Sequence, residues 1–471
     1  MKHSTIRIES IEINNFKNVK YGCLKFNNTK KQYDSSILGL YGQNGSGKTA
    51  LIDALELLKL ALSGNPVPIK FADYIHVDSK VASFRYEFKI CNLDEESEYS
   101  AVYEFCLRSD IDDSEHNTDQ PNRNVKHRAT IFNEVLSFSY KNGERKNKLS
   151  PMIDTKTPGD VAFVPKTKYE ILVGKDKEVQ TNLLVIKQLT MATSRSFVFS
   201  REFLNKIRQN CKEKYYLFLI ESLVNFGNFE LFIINTANSG LISMDALPLA
   251  FNYVENDKTA AGNILIQLNG PSLIPEDAFT VVQKVIDSMN IVLQQLVPGL
   301  KINVKDLGRQ LFSDGKQGCL IQFVSNKNSK EIPFQYESEG IKKLVSILQL
   351  LIVVYNRASI TVAIDEMDSG IFEYLLGELL RILSEKGQGQ LIFTSHNLRP
   401  LETLDKGCVA FTTTNPNNRY IRLSNVKATN NLRDIYYRDI ILGEQNEVIY
   451  EPTNNSEIAL AFREADIQNV K

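Results

Sequence analysis

The chain opens on period-two patterning. Ile6, Ile8, Ile11 and Ile13 are spaced for strand pairing, and Leu24-Lys25-Phe26 resumes the pattern after a turn at Tyr21-Gly22. Ile37-Leu38-Gly39-Leu40-Tyr41 is a short apolar run, which predicts a strand covered on both faces. A glycine-rich stretch follows directly. Leu51, Ala54, Leu55, Leu58 and Leu62 then recur at helical spacing until Gly64 and Pro66 stop the helix. From about 81 to 140 the period returns to two, through Phe84, Tyr86 and Phe88, then Tyr103, Phe105 and Leu107, then Val135 to Tyr140. That predicts an antiparallel meander. Its charged clusters (Asp94, Glu95, Glu96 and Glu98; Asp110 to Glu115; Arg123, Lys126 and Arg128) read as solvated loops.

Residues from about 180 to 300 read as mainly helical, with apolar faces at Phe203, Ile207, Tyr215 to Leu223 and Val282 to Leu296. No heptad runs long enough for a coiled coil. Leu300 to Val304 and Cys319 to Val324 read as strands, followed by a helix over Gly340 to Tyr355. Apolar strands at Ile360 to Ile364, Leu391 to Thr394 and Cys408 to Phe411 come next, the first two separated by a helix over Ile371 to Ser384. This alternation predicts a parallel α/β sheet.

Composition narrows the classes. Lys+Arg is 55 and Asp+Glu is 56 in 471 residues, a net charge of −1, a balance that does not suggest a strongly basic nucleic-acid coat or an acidic tail and leaves room for a local basic patch. The six cysteines are scattered without a C-x-x-C pair, which argues against a zinc or redox motif and for a reducing compartment. The most apolar stretch, Leu344 to Tyr355, is too short to span a bilayer and fits a buried helix. The N-terminus alternates and lacks the apolar core of a signal peptide. The expected location is the cytoplasm.

Gly42-Gln43-Asn44-Gly45-Ser46-Gly47-Lys48-Thr49 fits G-x-x-x-x-G-K-[ST], with a buried strand before it and a helix after it. Glycines allow backbone N–H groups to turn inward around phosphates, and the helix N-terminus adds positive dipole at the same point. Lys48 can reach the β and γ phosphates of a nucleotide, and the Thr49 hydroxyl can ligate Mg²⁺. The strand ending in Asp365-Glu366 supplies the complement, since ligands bind at the carboxyl ends of parallel strands. Asp365 is expected to hold Mg²⁺ mostly through water, and Glu366 to polarise the attacking water. His396 follows the next strand and is expected near the γ-phosphate; the other four histidines read as structural. Ser338, in Glu337-Ser338-Glu339-Gly340, is placed to cap the following helix and to make its N-terminus an anion site.

In this order the elements resemble the ABC-class ATPase heads of the RecF, SMC, Rad50 and OLD proteins. The resemblance runs through "IESIEINNFKN", "GQNGSGKT", "SEG", "AIDEMDSG" and "TSHN", over residues 1–60 and 300–412. It implies an α/β, ABC-type head: a mixed sheet with a phosphate-loop core, an antiparallel β meander and a mainly helical insert. The corresponding division is 1–180 for the N-terminal half, 181–299 for the insert and 300–471 for the C-terminal half. It further implies ATP and Mg²⁺ as ligands and a head-to-tail homodimer or higher oligomer. In that dimer Ser338 and Gly340 would act on the nucleotide of the other subunit, and Asp368 would belong to the dimer-contact loop. The signature departs from the Leu-Ser-Gly-Gly-Gln of transporters, which argues against transport. The family's glutamine loop finds no placement. Only 75 residues follow His396, without an acidic Toprim pattern, so intrinsic nuclease activity is not expected.

The ending "NNLRDIYYRDIILG" is similar to AAA family ATPases of bacterial two-gene anti-phage systems, in which the ATPase works with a separately encoded effector, often a nuclease or toxin. The resemblance thus implies a slow, regulated ATPase switch. The alternatives are a RecF-like ATPase that clamps DNA in repair, and a scaffold that binds ATP and scarcely hydrolyses it. Direct DNA contact would run through Arg201, Lys206, Arg208, Lys212 and Lys214, which read as one helical segment whose simpler role is a solvated face.

Overall fold

The computed structural model describes residues 4–26, 36–92, 97–111, 127–142, 145–156, 161–255, 258–327, 330–423, 431–443 and 447–468. Asp94, Glu95, Glu96, Asp112, Asp113, Glu115, Arg123 and Lys126, named above as loop charges, lie outside these residues.

The centre is a six-stranded sheet in the order 420–421, 409–412, 36–41, 390–394, 361–364 and 231–234. All neighbours run parallel except Tyr420–Ile421. Both faces are covered, which is why its strands read as continuous apolar runs. Leu38, Leu40, Ala363, Ile392 and Ala410 pack in the core shared with the helix Lys48–Leu62. Ile37, Tyr41, Val362, Ile364, Leu391, Phe393, Val409 and Phe411 pack in the core of the opposite layer, with Leu376, Leu380 and Leu383 of the helix Glu373–Lys386.

Helix Lys48–Leu62 is buried almost all round, because a second sheet closes over it. That sheet has seven antiparallel strands, including Ser4–Phe16, Val19–Lys25, Val81–Asn92, Ser97–Ile111 and His127–Asn142. Phe84, Tyr86, Phe88, Tyr103 and Phe105 form its apolar face, and the Tyr86 hydroxyl donates to Ala54 O at 2.6 Å. On the other face Arg85 sits among Glu12, Glu87 and Glu104. The meander is thus the expected one, but Glu98, Asp110 and Arg128 lie in its strands rather than in loops. Glu98 pairs with Lys89, and Asp110 with Arg108.

One turn differs from the pattern. Tyr21-Gly22 lies inside the strand Val19–Lys25, and the chain reverses at Lys17-Asn18, where Lys17 takes φ 51°. Gly22 is no turn residue: a Cβ there would meet the Tyr420 ring at 2.6 Å.

Residues 181–299 hold the expected helices Arg201–Asn210, Lys214–Asn225 and Glu276–Leu296, together with strands the pattern does not reveal. Leu231–Ile234 completes the central sheet, and Ala246–Glu255 pairs with Lys258–Gln267 as a hairpin. The five basic residues do not share one helix. The first helix ends at Asn210, the next begins at Lys214, and Arg208 pairs with Glu221 at 3.2 Å. The apolar stretch 344–355 is a buried helix, Glu339–Asn356, packed between the central sheet on one side and the strand Ala246–Glu255 with helix Glu276–Leu296 on the other. Among the described residues no helix is long and apolar enough to cross a membrane, and none of the six cysteines is in a disulfide.

Strand Leu231–Ile234 is entered through a π-helical turn, Phe226–Glu230. Burial raises the Glu230 carboxyl to about 7. A carboxyl raised in the folded state favours its neutral form, so its stabilising contribution is complete below the ordinary value of 4.5 and is lost as pH rises through about 7. Urea unfolding of Glu230→Gln should therefore lose part of the decline in stability that the parent shows between those two values. An unchanged pH profile would place the effect elsewhere.

Candidate functional site

The loop Gly42–Thr49 leaves the carboxyl end of strand Ser36–Tyr41 and enters its helix at Lys48. Gly42 takes φ 150°, and a Cβ there would come within 1.8 Å of Thr412 Oγ1, so only glycine fits against strand Val409–Thr412. Gly45 and Gly47 take φ 73° and 99°, the left-handed angles that turn the N–H groups inward. Ser46 Oγ donates to Gln43 O at 2.6 Å and bonds the Thr412 hydroxyl. Lys48 is 7% exposed and donates to Gly42 O at 2.8 Å and Gln43 O at 3.0 Å. Burial lowers its ammonium from the usual value, and the charges of Asp365, Glu366 and Asp368 oppose that shift.

Those three acids come from the loop after strand Thr361–Ile364, one strand beyond the neighbour of the phosphate-loop strand. Asp365 is 1% exposed. Its Oδ1 accepts from the Thr394 hydroxyl at 2.5 Å, whereas its Oδ2 is buried without a partner. An orphaned carboxylate oxygen beside a phosphate loop suits a Mg²⁺-bound water, so the donor set of Asp365 and Thr49 fits that ion. Among the described residues no three His, Cys, Asp or Glu groups form a metal cluster. Mg²⁺ does not need one, because it keeps waters and phosphate oxygens as ligands.

Glu366 takes φ 47°, a left-handed conformation that side chains other than glycine rarely adopt. Its N–H donates to Thr394 Oγ1 at 2.8 Å. Thr394 thus holds both acids at once. The sequence shows it only as the polar last residue of an apolar strand. Asp368 accepts from the His396 N–H at 3.2 Å and the Asn397 N–H at 3.0 Å, so the loop carrying His396 is fastened to the acid loop. The His396 side chain is exposed.

Ser338 is the N-cap of helix Glu339–Asn356, its hydroxyl accepting from the Ile341 N–H at 3.4 Å. It is exposed, and its described bonds do not reach the phosphate loop of its own chain. Gly340 seats on the acid loop: a Cβ there would lie 2.0 Å from Gly370 O. The structure therefore gathers Lys48, Asp365, Glu366, Asp368 and the His396 backbone at one edge of the sheet. Ser338 and Gly340 adjoin the acid loop, with Ser338 open to the outside.

Several participants carry no sequence signal. Asn18 donates to Gly45 O from the hairpin at Lys17-Asn18. Tyr420 donates to Gly47 O at 2.9 Å. Lys343 is 3% exposed on the Ser338 helix, where burial lowers its ammonium against the opposing charges of Glu366, Asp365 and Asp368. It reads as one more lysine in an amphipathic helix until the acids are seen beside it.

No curated protein matches the chain. Among solved structures, it is similar to an SMC head domain from Thermotoga maritima, with 14% identity over 89% of this chain and 99% of that one and a TM-score of 0.35. The Pyrococcus furiosus Smc head bound to the C-terminal domain of ScpA gives 14% identity, 89% and 97% coverage and a TM-score of 0.37. The recombination mediator RecF with ATP gives 13%, 89%, 100% and 0.35. A family profile described as "AAA domain, putative AbiEii toxin, Type IV TA system" matches residues 37–402, most of the chain and the whole of the phosphate loop and acid strand, and the chain belongs to that AAA-domain family.

Proposed function

We propose that the chain binds ATP with Mg²⁺ and hydrolyses it slowly as a head-to-tail homodimer, and that this cycle switches a separately encoded effector in anti-phage defence. The observation that carries the ATPase reading is the convergence of Lys48, Glu366 and an Asp365 with one orphaned buried oxygen at the carboxyl edge of a parallel sheet. ATP with Mg²⁺ supplies the scissile phosphoryl bond and neutralises charge on the oxygens around it.

The backbone N–H groups of Gly42–Thr49 bind the phosphates, and Lys48 exchanges two loop carbonyls for phosphate oxygens. Thr49 and Asp365 hold the metal. Glu366 orients the attacking water and takes up its proton, held in place through Thr394. His396 faces the γ-phosphate, its loop fixed by Asp368. Ser338 and Gly340, with Asp368, meet the nucleotide of the partner copy. On this reading 1–180 and 300–471 are the two halves of the head, and 181–299, inserted between them, lends the head's central sheet the strand Leu231–Ile234.

Glu366→Gln keeps the side-chain shape and removes the base. ATP binding should be unchanged and turnover should fall by at least ~10². Unchanged turnover would mean that another residue positions the water.

The effector half of the reading leans on the resemblance to two-gene defence ATPases, beside a family description that names a putative AbiEii toxin of a type IV TA system. It calls for a nuclease or toxin gene beside this one and a site of action in the cytoplasm. Recombination genes in that position would favour DNA repair instead.

A further inference from the structure

Two apolar patches flank the two halves of the nucleotide site. On the Ser338 side, Tyr336, Phe372 and Tyr374 are 71%, 70% and 54% exposed. Tyr336 lies two residues before Ser338, and Phe372 and Tyr374 follow just after Gly370. The seating of Gly340 on Gly370 gathers both segments to one place.

On the phosphate-loop side, Gln43 is clasped by the C-terminal segment. The Glu451 N–H donates to Gln43 Oε1 at 3.0 Å, and Gln43 Nε2 donates to Glu451 O at 3.5 Å. Thr414 N–H donates to Val448 O at 2.8 Å, and Asn418 Nδ2 to Glu447 at 2.8 Å, so the segment is also fixed to the chain beyond strand Val409–Thr412. Helix Asn455–Gln468 begins four residues after Glu451, within about 14 Å of that anchor for an extended chain. Its residues 455–465 are all exposed. They include Ile458 at 42% and Phe462 at 76%, one turn apart and so on one face, with Leu460 at 55% on the opposite side of the helix. An isolated helix of this length is marginal in water. One that shows apolar side chains needs a surface to cover them.

We infer that helix Asn455–Gln468 of one copy packs Ile458 and Phe462 onto the Tyr336, Phe372 and Tyr374 patch of a second copy. The inference rests on the head-to-tail reading above. In that arrangement Ser338 of one chain must reach Gly42–Thr49 of the other. Tyr336 adjoins Ser338, and the helix is anchored through Gln43 inside that very loop. The closure that completes the nucleotide site therefore brings the two patches together. Two-fold symmetry makes the contact twice. Aromatic rings meeting an aliphatic and an aromatic anchor are the composition of an interface core.

The test uses the full chain carrying Glu366→Gln, with ATP and Mg²⁺, by analytical ultracentrifugation. Adding Phe462→Asp, or separately Phe372→Asp, should weaken ATP-dependent dimerisation at least ~10-fold, while ATP binding measured by calorimetry stays intact. Copies bearing Phe462→Cys mixed with copies bearing Tyr374→Cys should crosslink with a short bis-maleimide only when ATP is present. A dimer that forms with parental affinity in both Asp variants, without the crosslink, overturns the inference and leaves the dimer standing; the helix would then serve a different protein. Chains that bind ATP and stay monomeric overturn the head-to-tail reading and this contact with it. Unchanged circular dichroism melting of the Asp variants separates either result from misfolding.

Discussion

Lys48→Ala is expected to weaken ATP binding by at least ~10², the scale of a charge-assisted bond lost from a buried site. Two effects act together. Lys48 is buried and bonds the carbonyls of Gly42 and Gln43, so its removal leaves the loop without its internal brace. It is also a positive charge that the buried Asp365, with Glu366 and Asp368, faces. Without it those carboxylates repel the triphosphate. Isothermal calorimetry with the intact chain reads the affinity directly, and a dissociation constant within threefold of the parent would sink the assignment of the loop.

Ser338→Arg is expected to leave ATP binding at the phosphate loop intact and to abolish hydrolysis. The hydroxyl stands at an exposed helix N-terminus, where, on the head-to-tail reading, an arginine would fill the space proposed for the partner's phosphates. Mixing this variant with Lys48→Ala tests the geometry. In a head-to-tail pair both lesions fall in one composite site, because Ser338 of one chain faces Lys48 of the other. The second site is then unaltered, and the mixture should recover part of the ATPase rate. The rate is read against mixing ratio once subunit exchange is confirmed. Exchanged mixtures that stay dead would mean that Ser338 works within its own subunit or that hydrolysis needs both sites. A crosslink between Ser338→Cys and the partner's loop distinguishes those. Full activity of Ser338→Arg alone would remove the composite site.

Most of the central architecture was legible because the residues concerned answer to local rules. Gly42, Gly45 and Gly47 are dictated by backbone angles and close approach, and Asp365-Glu366 by the end of an apolar strand. What escaped depends on contacts between distant parts of the chain. Leu231–Ile234 is four apolar residues following an apolar helix, and nothing but its pairing with Thr361–Ile364 makes it a strand. Thr394 looks like any strand-terminal threonine until Asp365 and the Glu366 N–H are brought to its hydroxyl. The bond between Gln43 and Glu451 joins positions 408 apart, beyond the reach of any periodicity. The misplaced turn at Tyr21-Gly22 has the same origin, since that glycine answers to the ring of Tyr420 and not to a reversal of the chain.

The seating of Gly340 on Gly370 bears on timing. The Gly370 carbonyl leaves no room for the first side-chain carbon of any other residue at 340, so the start of the Ser338 helix and the acid loop are in direct backbone contact. In a head-to-tail pair these two parts attend different nucleotides: Ser338 the partner's, Glu366 and His396 the chain's own. On the proposed dimer reading, occupancy on one side would have a direct route to the other's water-orienting acid, through this contact rather than through the sheet. On that reading one clock would serve two sites, and an effector would read the state of the pair.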